Sequence, residues 1–308
     1  RQSRNWGILN EYSLIFSNNP YSFDHIGFTT SFGKIKFSYY TSKLADSNAL
    51  DLDGVSIPEG EYALSQRYWS AHRIDYIISK KIQVSLSEAV TYGGPNSNFE
   101  FTYLNPTYFY LVGQKNDQLE ANNFIQLSAL YSYSPKITYF LDLLIDDIIV
   151  NNNEMNERKK YPDRLGVVFK VSYANNKKLH SLRYARIWDE TYRSYRTYEN
   201  YFSKNKFIGF PYNSYEGVRY NFTYLASLPF YYSLDIEFYK VVNSDVITPF
   251  NETNLFFLNG DIDEYLSISS LISYKIKKHL FKLILDLENR FEVEGFNFSS
   301  QVNYSYQF

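Results

Sequence analysis

The chain has 308 residues, with 31 Lys and Arg against 33 Asp and Glu, a formal net charge of −2 and a pI near 6.2. That balance gives no global reason to expect nucleic acid as a partner, and zero cysteine excludes disulfides, thiolate metal sites and a cysteine nucleophile. No run of about 18 apolar residues exists to make a transmembrane helix, which leaves open membrane-spanning strands of about 9–11 residues.

Read for period two, the sequence predicts about fourteen strands. The first lies near 5–17, and 23–32 and 34–44 follow, joined by the short turn FGK. After a long polar stretch at 45–64 come 65–78 and 81–92, joined by SKK. In 81–92 the apolar phase Ile82, Val84, Leu86 runs on to Glu88. A carboxylate on a lipid-facing phase is costly, so either a bulge flips the phase there or Glu88 stands above the bilayer. The segment YGGPNSNFEFTYLNP (92–106) has the Gly and Asn-Pro content of a structured loop, folded into a lumen or capping it from outside.

Strands at 122–134 and 136–149, joined by SPK, lead to LIDD, where Asp146 and Asp147 are adjacent. Neighbours on a strand face opposite ways, and Asp142 and Asp146 share a face about 13 Å apart at roughly 3.3 Å per residue, too far for a catalytic pair. Next come 163–174 and 177–190, joined by ANNKK. The loop RIWDETYRSYRTYENYF (186–202) then interleaves Tyr192, Tyr195, Tyr198 and Tyr201 with Arg193 and Arg196. Aromatic faces stack on sugar rings, and Arg forks pair with uronate carboxylates. The same mixture suits single-stranded nucleic acid or a loop contacting lipopolysaccharide. Strands at 213–226 and 229–241, joined by SLP, precede a long stretch at 242–262; then come 263–275, KIKKH, 277–291 and the last strand, 295–308.

The connections therefore alternate, mostly, between short turns and long polar loops. Greek-key sandwiches have no reason to do so, whereas outer-membrane barrels do, with short periplasmic turns and long extracellular loops. The fold class predicted is all-β, a transmembrane up-and-down antiparallel barrel with about fourteen strands visible; a soluble β protein is the alternative. The non-apolar face carries Ser, Asn, Thr and Gln with isolated charges, among them Arg73, Asp75, Asp142, Asp146, Arg183, Arg219, Asp235, Glu237, Asp286, Glu288 and Arg290. Mixed signs suit a polar lumen where opposite charges meet. Phe308 ends the chain where outer-membrane barrels keep an aromatic residue read by the insertion machinery. The four histidines show neither HxH nor HExxH spacing, so no metal site or cofactor is expected. Neither is an enzyme, since no Ser/His/Asp arrangement is evident.

The blocks AHRIDYIISKKIQVSLSEAVTYGG (71–94), FEFTYLNPTYFY (99–110), LDLLIDDI (141–148), RNWGILNEYSLIFSNN (4–19) and YEGVRYNFTYL (215–225) together resemble the Wzi capsule-assembly family. That resemblance implies an outer-membrane barrel of about eighteen strands that binds surface polysaccharide and helps to organise it. It also tilts the 186–202 loop toward polysaccharide rather than nucleic acid. On this reading residues 1–308 are a single barrel domain, the C-terminal part of a larger barrel, in contact with outer-membrane lipid and lipopolysaccharide. Arg1 stands where no initiator Met or signal peptide precedes it, as in a processed or truncated chain. A porin or transporter for small solutes is the alternative function.

Overall fold

A computed structural model describes residues 6, 13–46, 66–94, 97–117, 121–147, 164–194, 196–225, 229–242, 262–276, 278–291 and 296–306. The long stretches expected at 45–64, 150–162 and 242–262 fall mostly or wholly outside these residues, as does Phe308.

Period-two segments became strands wherever they could pair with the next one along the chain. The strands are β1 (Ile26–Phe32), β2 (Ile35–Lys43), β3 (Gln66–Ser79), β4 (Ile82–Gly94), β5 (Ala121–Ser134), β6 (Ile137–Asp147), β7 (Arg164–Asn175) and β8 (Lys178–Ile187). After a small hairpin of β9 (Phe202–Ser203) and β10 (Lys206–Phe207) follow β11 (Tyr215–Leu225), β12 (Phe230–Val242), β13 (Ile262–Ile276), β14 (His279–Arg290) and β15 (Phe296–Tyr306). All except the β9–β10 hairpin join one thirteen-stranded sheet in sequence order, each strand antiparallel to its neighbour. Such an up-and-down meander needs no crossovers, and most of its strands exceed the length a tilted membrane crossing requires. Among the described residues the sheet order ends at β1 on one side and β15 on the other.

Of the strand expected at 5–17, residues 5 and 7–12 lie outside the described residues, and the rest is corrected. Residues 13–17 form no strand; Leu14, Ile15 and Phe16 are buried on the inward face of the sheet. This consecutive apolar run packs between the wall and an internal loop rather than pairing as a strand.

Tight turns close the short-turn end. Gly33 sits at φ 58° with open space around the position of a Cβ, so its backbone conformation alone accounts for the glycine. The two faces differ as period two predicts. Outward positions present a band of exposed apolar residues: Ile74, Leu86, Leu127, Leu143, Phe169, Leu182, Val218 and Phe238. Among the described residues no second sheet packs on this band, which a sandwich would require, and water does not tolerate a patch of that extent on a monomer. The main hydrophobic core lies on the other side, inside the curve of the sheet, where Trp69, Ala71, Ala89, Phe124, Leu144, Val168, Ala185 and Ile187 pack against residues 13–17 and the connection between β8 and β11.

Candidate functional site in the constricted lumen

The inward face has two zones. Toward the short-turn end it is polar; toward the long-connection end its small and apolar residues support a plug. The plug is residues 188–214, which turn into the lumen instead of leaving it. Lys204 and Asn205 both adopt positive φ, 48° and 63°, and so close the two-residue β9–β10 hairpin. Tyr192 also has positive φ, 75°, a conformation costing a bulky residue about 1–3 kcal/mol and held only by its surroundings. Its N–H donates to Asp146 Oδ2 at 2.7 Å, and its hydroxyl donates to the Leu14 carbonyl at 2.7 Å and accepts from Phe210 N–H at 3.1 Å.

Residues 13–17 bind the plug along its length. Ser17 N–H donates to the Ile208 carbonyl at 3.0 Å and its hydroxyl to the Gly209 carbonyl at 2.6 Å. A Cβ on Gly209 would stand 2.2 Å from the Leu14 carbonyl oxygen, so only glycine allows this approach. The wall holds the plug through β3. Arg67 Nε donates to the Tyr198 carbonyl at 2.9 Å, another guanidinium nitrogen to the Asn200 carbonyl at 2.5 Å, and the guanidinium lies 3.8 Å over the Phe202 ring. Trp69 Nε1 donates to Tyr201 Oη at 2.9 Å, which in turn donates to the Ile15 carbonyl at 3.0 Å. Neither Arg67 nor Trp69 was nominated from the sequence. The signal was available: both occupy the inward phase of β3, where a simple polar lumen would carry neither a Trp nor a cation facing backbone.

The loop nominated for sugar binding is this plug. Tyr192 and Tyr201 are fully buried and stacked on one another, with ring centroids 5.7 Å apart. Arg193 is buried and pairs with Glu190 at 3.0 Å; Arg196 pairs with Glu199 at 3.1 Å. Burial pushes the Glu190 carboxyl above its ordinary range, an effect opposed by Arg193. Tyr198 gives its carbonyl to Arg67, and Tyr195 lies outside the described residues. Of these, Tyr192, Tyr201 and Arg193 are buried within the plug and Arg196 is engaged by Glu199, while Tyr198 and Arg196 remain half-buried.

The charged residues nominated for the lumen sit as follows. Arg73 donates twice to Asp75, at 2.9 and 2.7 Å, and also to the Trp6 carbonyl. Arg183 meets Glu237 at 2.5 Å, which accepts from Tyr215 as well at 2.6 Å. Arg219 meets Asp235 at 2.8 Å. Asp146 faces Arg164 at 3.7 Å, and Asp142 is fully buried under the plug. Arg290 pairs with Asp263 rather than with the acids first nominated beside it. Glu288 accepts from Tyr239 at 2.9 Å and Asp286 from Ser269 at 2.5 Å. Opposite charges thus meet on the inward face, within β3, between neighbouring strands and, for Arg183 and Glu237, across β11. Beside them Tyr212, Tyr239, Tyr265 and Glu288 help to line a cavity of about 380 Å³ next to the plug.

The connection 97–117 does neither of the things expected of 92–106. It leans on the outer wall as two short helices, α1 (Phe101–Leu104) and α2 (Tyr110–Asp117), and buries Tyr68, Val90, Tyr92, Tyr103 and Tyr110 in a second, separate core. Glu88 keeps the outward phase, for the β4–β5 register runs unbroken from Ile82 to Tyr92. It is covered by protein: Glu88 accepts from Tyr110 N–H at 3.0 Å and Leu111 N–H at 2.8 Å, and His72 Nε2 lies 3.2 Å away.

Apolar outside, polar and charged inside, and antiparallel in sequence order, the chain belongs to the class of transmembrane up-and-down β-barrels. No family model matches it, and no curated protein does. Among solved structures it is similar to OprD of Pseudomonas aeruginosa, at 11% identity over 90% of this chain and 68% of that one, TM-score 0.45. It is also similar to the monoaromatic hydrocarbon channel CymD, at 11% identity over 95% and 84%, TM-score 0.38. The toluene transporter TbuX of Ralstonia pickettii aligns at 11% identity over 92% and 80%, again with TM-score 0.38. None is a capsule-assembly protein. The Wzi resemblance is therefore corrected, and the polysaccharide-binding function expected from it falls with it.

Proposed function

We propose that this chain forms an outer-membrane channel wall for small solutes, with residues 188–214 setting its constriction. The observation that carries the reading is the anchoring of that loop inside the sheet by Arg67, Trp69 and residues 13–17, while the wall around it keeps a polar, charge-paired inner face. A loop folded inward narrows a lumen without closing off its polar wall, and paired charges give small polar solutes a hydrated path. The long connections then lie outside the cell and the short turns in the periplasm, as is usual for such barrels. The neighbours described as channels and a transporter are consistent with this class of function.

Liposome swelling tests it. Vesicles carrying the reconstituted chain should swell quickly in arabinose and slowly in stachyose. Swelling in arabinose no faster than in protein-free vesicles would overturn the proposal.

A further inference from the structure

Beneath the α1–α2 connection, on the outer face, lies a cavity of about 450 Å³. Its walls are apolar, formed by Phe37, Ile125, Phe109 and Val112, and His72 and Glu88 stand at its polar end. It does not stop at the loop. Ile74 and Leu86 line both this cavity and a shallower groove of about 310 Å³ that continues down the outer wall between Val84, Leu127 and Leu143. Cavity and groove are thus one apolar track, continuous with the lipid-facing band.

The polar end also holds an unmatched nitrogen. His72 Nε2 faces the Glu88 carboxylate at 3.2 Å. The other ring nitrogen, Nδ1, is buried with no hydrogen-bond partner among the described residues. A buried polar nitrogen left unmatched is expensive unless a ligand supplies its partner. The loop above also exposes Phe101 and Phe109 outward, at 87% and 58%, and rings so placed suit contact with lipid rather than water.

We infer that this cavity is a lipid site: it holds one hydrocarbon chain of a surrounding lipid, and a hydroxyl on that chain hydrogen-bonds with His72 Nδ1. Continuity with the lipid-facing band supplies the occupant, and the unmatched Nδ1 supplies the preference for a hydroxyl, which can donate or accept. The site lies on the wall face opposite the constriction and does not depend on solute passage.

Photo-cross-linking of the full reconstituted chain tests it. The probes are two phosphatidylcholines with a diazirine near the chain end, one carrying a plain tetradecanoyl chain and one a 3-hydroxytetradecanoyl chain. Labelling of the peptide containing Phe109 and Val112 should saturate, with the hydroxylated lipid reaching half-saturation at a concentration at least fivefold lower. Ile125→Trp, or Val112→Trp as the second filling variant, should cut that labelling about tenfold and leave labelling at Phe169 on the open band unchanged. His72→Phe should make the two lipids equivalent. Labelling that rises linearly with lipid, as at Phe169, would overturn the site. So would insensitivity to both filling variants, or displacement by toluene but not by unlabelled hydroxylated lipid. Equal half-saturation of the two lipids on the unaltered chain would overturn the role of His72.

Discussion

Replacing Glu88 with Leu tests how an outward-facing carboxylate is accommodated on β4. Leucine fits the apolar phase of Val84 and Leu86, so a lipid-facing position would gain from the change. The structure predicts the opposite. Glu88 and His72 are almost wholly buried, with side chains 5% and 8% exposed, and the carboxylate satisfies two N–H groups at the start of α2. Each buried donor left without a partner costs about 1–3 kcal/mol, and Glu88→Leu orphans the imidazole together with the two backbone N–H groups. The loss falls on the docking of residues 97–117 and not on the sheet, because the β3–β4 and β4–β5 ladders do not use these side chains. In His72→Phe/Glu88→Leu the orphaned imidazole is gone and only the helix-start N–H groups lose their cap, about 1–2 kcal/mol. The double variant should therefore recover about 2 kcal/mol, roughly 30-fold in the opening equilibrium. Hydrogen exchange at Tyr110 and Leu111 reads this directly, with the heat-dependent gel shift as a control for the barrel wall. Glu88→Leu with undiminished protection at these two amides would refute the reasoning. So would a double variant worse than the single one.

Gly209→Ala forces a Cβ onto the Leu14 carbonyl and should loosen the plug by about 1–3 kcal/mol, as overpacking does; protease cleavage within 196–214 should accelerate. Tyr192→Gly relieves the positive φ but removes the hydroxyl that joins Leu14 to Phe210, so the plug should again be less protected in hydrogen exchange. The Arg219–Asp235 pair is partly exposed, with side chains 30% and 23% accessible, so Asp235→Asn should change thermal stability by less than about 1 kcal/mol. The same variant should make the conductance more anion-selective, measured as a reversal-potential shift across a salt gradient.

Strand placement was legible because pairing in sequence order needs only period two and short turns, and thirteen predicted strands reappear in the sheet. Residues 13–17 misled for a physical reason: Leu14, Ile15 and Phe16 are apolar because they fill the inside of the curve, and burial there imitates part of a strand. The site was harder to read. Tyr192, Arg193 and Tyr201 were found as a cluster, but exposure and burial leave the same residues in the sequence, and only the partners Asp146, Leu14 and Trp69 decide between them. Glu88 was visible as a break in phase. What resolves it is a loop more than twenty residues away in sequence, docking through Tyr110 on the outer wall.

The central claim is that residues 188–214, latched by Arg67, set the width of a solute path. Single-channel recording of the full chain in planar bilayers tests it most directly. Small, steady conductance steps are predicted for the unaltered protein, and larger, noisier steps for Arg67→Ala, which releases the Tyr198 and Asn200 carbonyls together. Equal step sizes in the two proteins, or no steps in either, would contradict it.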